Sequence, residues 1–257
     1  MLWANNSIPT QLSKSGEKDG RPGLTIFSSF KSNNCITGIL YTMKILVAGS
    51  HGKVGHHLVQ MLSEKGHEVR AMIRDSSQSE EMRKLGAEPV VADLEKDKFF
   101  PLEGINAVYF VAGSGAGTGK DKTEAVDKQG AIKLIEDAYK HKVQRFIMLS
   151  SVGADDPRKG PDELKTYLEA KHEADKELKY SGILYTIIRA NNLSDDKGTG
   201  KVTATEKLDS YEGSVPREDV ARALVACLDI RHTENKVFEL TSGDTPIDKA
   251  LVNLPLV

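Results

Sequence analysis

In KILVAGSHGKVG, residues 44–55, the apolar run Ile45-Leu46-Val47-Ala48 meets three glycines, Gly49, Gly52 and Gly55, and an amphipathic segment follows at once. An apolar run of that length ahead of a turn signal reads as a buried strand, and the spacing beyond it reads as a helix. The first glycine permits a tight turn and the second lets backbone approach a pyrophosphate. The third lets the helix pack closely on the strand, and the helix start is left free to hold an anion.

From Met43 onward the pattern alternates strand and helix. Residues 53–65 carry Val54, Leu58, Met61 and Leu62 on one helical face and stop at Gly66. Strands are predicted at 68–73, 88–92, 107–112, 144–150, 184–189 and 236–240, and further helices at 79–85, 121–141, 162–180 and 216–229. Short apolar strands separated by helices imply a mostly parallel sheet covered on both faces, a single α/β, doubly wound, Rossmann-like domain. The sequence has no internal repeat. Residues 190–215 are polar and weakly periodic, and lie where such folds place a substrate-covering segment.

Composition narrows the function classes. The chain has 257 residues, 39% of them hydrophobic and 28% charged, with a formal net charge of −2, so neither nucleic acid nor an anionic membrane is an expected partner. No apolar run has the length of a bilayer span. The two cysteines, Cys35 and Cys227, form no zinc-type or disulfide pattern, and a reducing cytoplasm fits them. His56 and His57 are neighbours on a helix and point about 100° apart, so they read as solvated, and no metal is expected.

The end of strand two decides the dinucleotide. Arg74 follows Ile73 directly and Asp75 comes next. An acidic side chain there accepts from a ribose 2′-hydroxyl, whereas an arginine neutralises a 2′-phosphate, so NADP is favoured over NAD. Asp93, after strand three, could accept from the adenine amine or serve as a turn residue. The glycine-rich loop 113–119 fails the phosphate-loop pattern: Ser114 stands where its leading glycine belongs and Asp121 where a magnesium-binding hydroxyl belongs. A flexible edge past the cofactor is the expected role. The cofactor-binding set is thus Gly49, Ser50, His51, Gly52, Lys53, Val54 and Gly55, with Arg74, Asp93, Leu94, Ala112, Gly113 and Lys171.

Tyr167 and Lys171 lie four apart in a predicted helix, on one face, so the phenol and the ammonium can address one ligand. A nearby cation favours phenolate, which suits a proton donor or acceptor. Ser150 and Ser151 close strand five at the carboxyl edge where such sheets bind ligands, and either hydroxyl could hold a substrate carbonyl.

The segments Gly49-Ser50-His51-Gly52-Lys53-Val54-Gly55, Ser150-Ser151-Val152-Gly153, Tyr167 with Lys171, and Tyr185-Thr186-Ile187-Ile188-Arg189 together resemble the short-chain dehydrogenase/reductase superfamily. More narrowly they resemble its atypical, NAD(P)-binding, NmrA-like branch, which includes proteins described as epimerase/dehydratase-like. The resemblance implies that Lys171 binds the nicotinamide ribose, Tyr167 is the general acid/base, and Ser151, or failing it Ser150, polarises the substrate oxygen. Relatives often carry Arg-Pro-Gly after strand six, whereas Arg189 is followed here by Ala190-Asn191-Asn192.

The expected activity is NADPH-dependent reduction of a small carbonyl-type substrate. Two alternatives stand beside it: an epimerase- or dehydratase-like enzyme that keeps its cofactor, and a non-catalytic NAD(P) redox sensor. A homodimer is the expected assembly by base rate. Residues 1–42 are rich in Ser, Asn, Gly and Lys and lack periodicity, so Met43 is the expected natural start and the preceding segment a tail, an over-long start or a disordered extension. A variant beginning at Met43 is expected to keep its melting temperature and its cofactor affinity; a large loss of either in thermal and binding titrations would overturn this.

Overall fold

The computed structural model describes residues 24–25, 40–113 and 119–255. The expectation for residues 1–42 falls almost wholly outside these, apart from a two-residue antiparallel pairing of Leu24–Thr25 with Leu40–Tyr41. The main sheet is built from β1 (Lys44–Ala48), β2 (Glu68–Ile73), β3 (Glu88–Val91), β4 (Ala107–Phe110), β5 (Arg145–Ser151), β6 (Leu184–Ala190), β7 (Lys201–Thr205), β8 (Lys236–Ser242) and β9 (Thr245–Pro246). In space they run β9-β7-β8-β6-β5-β4-β1-β2-β3. All neighbours from β8 to β3 pair in parallel; β7 alone runs antiparallel, to β8 on one side and β9 on the other.

The helices are α1 (Lys53–Glu64), α2 (Ser79–Lys84), α3 (Ala131–Lys140), α4 (Lys165–Tyr180), α5 (Arg217–Asp229) and α6 (Ile247–Val252). Alternation along the strands divides the core into two layers. Ile45 and Val47 of β1 and Tyr109 of β4 face α1, α5 and α6, with Leu58, Leu62, Val220 and Leu224 against them. Leu46, Ala48, Val108 and Phe110 face α3 and α4, with Leu134, Ile135, Ala174 and Leu178. Strands buried on both faces read as continuous apolar runs, which is why they were legible.

Three features depart from the predicted elements. The long helix after β4 begins at Lys120, and its Thr123–Gly130 stretch is π-helical before α3 continues it. Residues 162–164 form a separate 3-10 turn ahead of α4. The polar segment 190–215 is partly sheet: β7 lies within it, and Leu193–Ser194 pairs in parallel with Val215–Pro216. Its KVTAT alternation is half-exposed and short, too weak to separate from loop by periodicity. Cys227 lies in the core, where burial pushes its thiol up to about 12, so it stays protonated.

The turn into β7 is held by one buried carboxylate. Asp219 accepts from the amides of Thr199 (2.7 Å) and Gly200 (2.8 Å) and from Arg222 (2.7 Å). Burial alone would raise its pKa, but these donors outweigh burial and hold it below the ordinary carboxylate value. A depressed folded pKa stabilises above the unfolded value of about 3.9 and is lost as pH falls through the folded one. Asp219→Asn is therefore expected to cost about 2 kcal/mol at neutral pH. In urea titrations across pH, the gap to the wild type should narrow only below about pH 4; a gap that is flat through the acid range would contradict this account.

Candidate functional site

At the carboxyl end of β1 the chain turns under close backbone packing. Gly49 has φ +91°, and a Cβ on it would stand 2.4 Å from the Ala112 nitrogen; a Cβ on Gly55 would stand 2.1 Å from the Gly49 carbonyl oxygen. These two glycines serve the fold itself. A Cβ on Gly52 would meet only the Gly49 oxygen, at 3.3 Å, so packing within the protein demands less at this position. The Gly52 amide donates to Gly49 (3.0 Å) and the His56 amide to Gly52 (2.8 Å). α1 then starts with no side-chain cap and no acidic residue in its first turn. Its unsatisfied N–H groups and dipole present a positive end.

The remaining residues of the turn divide between inside and outside. Ser50 is fully buried and its hydroxyl donates to the Met72 carbonyl at 2.7 Å, so only its backbone belongs to the turn surface. Val54 packs into the core. Lys53 is exposed and pairs with Asp195 in the 190–215 segment, where Arg217 also binds at 2.7 Å. His51 and His56 both lie against Glu81 of α2, at 3.1 and 3.2 Å, so neither is simply solvated.

At the end of β2, Arg74 is exposed, and no ion pair engages it among the described residues. Asp75 is spent locally: its carboxylate accepts from the Ser77 amide at 2.8 Å and caps the turn Ser76–Gln78, which holds its pKa below the usual range. Asp93 likewise heads a turn, accepting from the Glu95 amide (2.9 Å) and pairing with Lys96 (3.3 Å). Leu94 is buried, its Cβ beside Gly130, where a Cβ would come within 2.8 Å. Residues 114–118 of the glycine-rich loop lie outside the described residues.

On the opposite side stands the Tyr167–Lys171 face of α4. Lys171 is only 3% exposed, and its Nζ lies 3.0 Å from Asp127 Oδ1 and 3.4 Å from the Ala112 carbonyl. It sits 5.7 Å from the ring centres of both Tyr167 and Phe110. Burial pulls the Lys171 pKa down, but the charges of Asp127 and Tyr167 outweigh it and leave the ammonium above its ordinary value. One turn further, Asp175 bonds Arg189 of β6 at 2.9 Å. Burial raises the Asp175 pKa despite that arginine.

The two serines are separated by strand alternation. Ser150 is buried beside Asp175, and its hydroxyl makes no hydrogen bond of acceptable geometry among the described residues. Ser151 is half-buried at the strand end, its hydroxyl 3.2 Å from the Val152 carbonyl. The structure thus brings Lys171, Ala112 and Gly113 together, with Tyr167 alongside; a Cβ on Gly113 would stand 3.4 Å from the Asp127 carboxylate.

Several polar anchors escaped the sequence reading. Asp175 stands four residues beyond Lys171, so its place on the same helical face was available from spacing. Asp127 was not, because it arrives from another helix through a π-helical turn, an uncommon feature that often marks functional segments. Glu239, fully buried on β8, accepts from the Leu208 amide (2.8 Å), Tyr211 (3.2 Å) and Lys207 (3.3 Å), while Lys207 also reaches Asp155 (2.6 Å). These contacts strap residues 207–211 to the sheet and to the loop after β5.

The sequence profile of the NAD(P)H-binding family matches residues 49–231, from the first glycine of the turn past α5. The chain belongs to that family. It is 43% identical over 216 residues to the "Uncharacterized sugar epimerase YhfK" of Bacillus subtilis (strain 168), covering 82% of this chain and 100% of the relative. Among solved structures, the "Putative NAD-dependent epimerase/dehydratase" of Bacillus halodurans is 47% identical with a TM-score of 0.79, over 81% of this chain and 98% of that one. The oxidoreductase ylbE of Lactococcus lactis is 32% identical with a TM-score of 0.70, over 81% and 95%. The Rossmann-like fold expected from the motifs is thereby shown, and these matches fit an atypical short-chain dehydrogenase/reductase-like branch.

Breaking a buried ion pair by removing one partner leaves an uncompensated charge and costs about 3–5 kcal/mol. Asp127→Asn is expected to lose that much in chemical denaturation, and adding Lys171→Met should recover a large part of it. A double-mutant coupling below about 0.5 kcal/mol would mean that the pair does not hold the two helices together.

Proposed function

We propose that the protein is an NADPH-dependent reductase of a small carbonyl-type substrate. The observation that carries this reading is the glycine turn with its uncapped α1 on one side and the Tyr167–Lys171 face on the other, joined at Ala112. A dinucleotide fits the residues present: the turn leaves backbone N–H groups free at a positive helix end, and Gly52 carries no side chain to obstruct a phosphate. Arg74, with Asp75 engaged as a cap, favours a 2′-phosphate over a bare ribose.

The cofactor, when bound, supplies the hydride. Tyr167 gives the proton to the substrate oxygen, and Ser151, the half-buried hydroxyl of the pair, aligns that oxygen. Lys171 keeps its charge through Asp127, stands beside the Tyr167 ring and bears on the nicotinamide ribose. Asp175, with Arg189, keeps α4 seated on β6 so that these groups stay in place. Residues 190–215 cover the substrate, pinned through Asp195 and Glu239.

The names of the similar Bacillus proteins favour one second reading, an epimerase-like cycle in which the cofactor stays bound and no net redox change occurs.

NADPH is expected to bind at least about tenfold more tightly than NADH, with Arg74→Ala abolishing the preference. Tyr167→Phe should lower kcat by about 10²–10⁴-fold across a carbonyl panel while leaving NADPH affinity intact. Gly52→Ala should weaken cofactor binding with little change in Tm, whereas Gly55→Ala should lower Tm. Equal affinities for NADH and NADPH, or turnover untouched in Tyr167→Phe, would defeat the reductase reading; cofactor retained through gel filtration without net turnover would transfer support to the epimerase-like cycle.

A further inference from the structure

His51 and His56 come from the glycine turn and the first turn of α1, and Glu81 reaches them from α2. His51 Nε2 is 3.1 Å from one carboxylate oxygen of Glu81, and His56 Nε2 is 3.2 Å from the other. The ligand atoms of the three side chains all lie within 4.8 Å of one another. The two imidazoles meet edge to face, centroids 5.4 Å apart at 64°, so their faces do not stack.

From this cluster we infer that His51, His56 and Glu81 form a binding site for a divalent transition metal of the zinc class. Tetrahedral coordination with bonds of about 2.0–2.2 Å places neighbouring ligand atoms roughly 3.3 Å apart. Each imidazole already stands at about that separation from one of the two Glu81 carboxylate oxygens, and His51, 46% exposed, is free to swing so that both histidines and a single Glu81 oxygen meet one ion. A second observation points the same way. His56 Nε2 is shut off from solvent and makes no hydrogen bond of acceptable geometry among the described residues, although the Glu81 oxygen is near. A buried nitrogen left in that state is satisfied by a ligand that needs its lone pair.

The donor set selects the ion. Two imidazoles and one carboxylate suit zinc and its neighbours, whereas calcium and magnesium prefer oxygen alone. Three protein ligands leave a fourth position for water, and the half-exposed Glu81 and His51 give an ion a path in. An ion here would tie α2 to the glycine turn, a tie that stands whether or not the reductase reading holds.

The test uses untagged full-length protein, freed of metal by a chelator and then titrated with Zn2+ by calorimetry and with Co2+ by visible absorption. One equivalent is expected to bind saturably, Co2+ should give a four- or five-coordinate spectrum, and Zn2+ should raise Tm. His51→Gln, His56→Gln and Glu81→Gln should each weaken binding by at least about tenfold, and His57→Gln should not. Comparing each variant with the wild type in chelator, by circular dichroism and Tm, separates ligand loss from misfolding. Absence of a saturable equivalent in the wild type, or binding that persists in a His51→Gln/His56→Gln double variant, would overturn the site.

Discussion

Backbone against backbone at the first turn is the contact on which the rest of the molecule depends. Gly55 in α1 packs on the Gly49 carbonyl, and Gly49 packs on the Ala112 nitrogen beyond β4, at separations that leave no room for a methyl group. That double contact sets α1 against β1 and brings the end of β4 beside the turn. It also fixes where the N–H groups of α1 point. Any side chain at Gly49 or Gly55 would push apart the surfaces between which an anion can lie.

A second layer of constraint is electrostatic. Asp127, Lys171, Asp175 and the partly buried Arg189 form an alternating run of charges that links the helix after β4, α4 and β6. Each charge has an opposite neighbour, which makes burial tolerable. A phenol beside this run meets a lysine that stays ionised, because Asp127 compensates its desolvation. The chemistry proposed for Tyr167 therefore rests on an aspartate that never needs to touch a substrate.

The same logic recurs in the covering segment. Asp195 bridges Lys53 and Arg217, Glu239 receives Leu208, Tyr211 and Lys207, and Asp219 receives Thr199 and Gly200. A polar, weakly periodic stretch has little apolar area to bury, so buried or bridging carboxylates position it instead. Such a device is invisible to hydrophobic periodicity. It explains why β7 lay unseen in a polar, weakly periodic segment, whereas β1, β4 and β5, apolar on both faces, read at once as strands.

The sequence by itself determined the parallel sheet, the order of its helices and the glycine turn, because apolar period and glycine placement are local properties that tertiary context did not override. Spacing also put Tyr167 and Lys171 on one face of α4. Only the tertiary structure decided which of these side chains are spent inside the fold: Ser50 on Met72, Asp75 on Ser77, Ser150 beside Asp175, Lys171 on Asp127. It likewise decided that His56 meets His51 and Glu81, not its neighbour His57. The physical reason is common to all of them. A polar side chain's partner is set by which backbones approach in space, and those approaches join residues that no period in the chain relates.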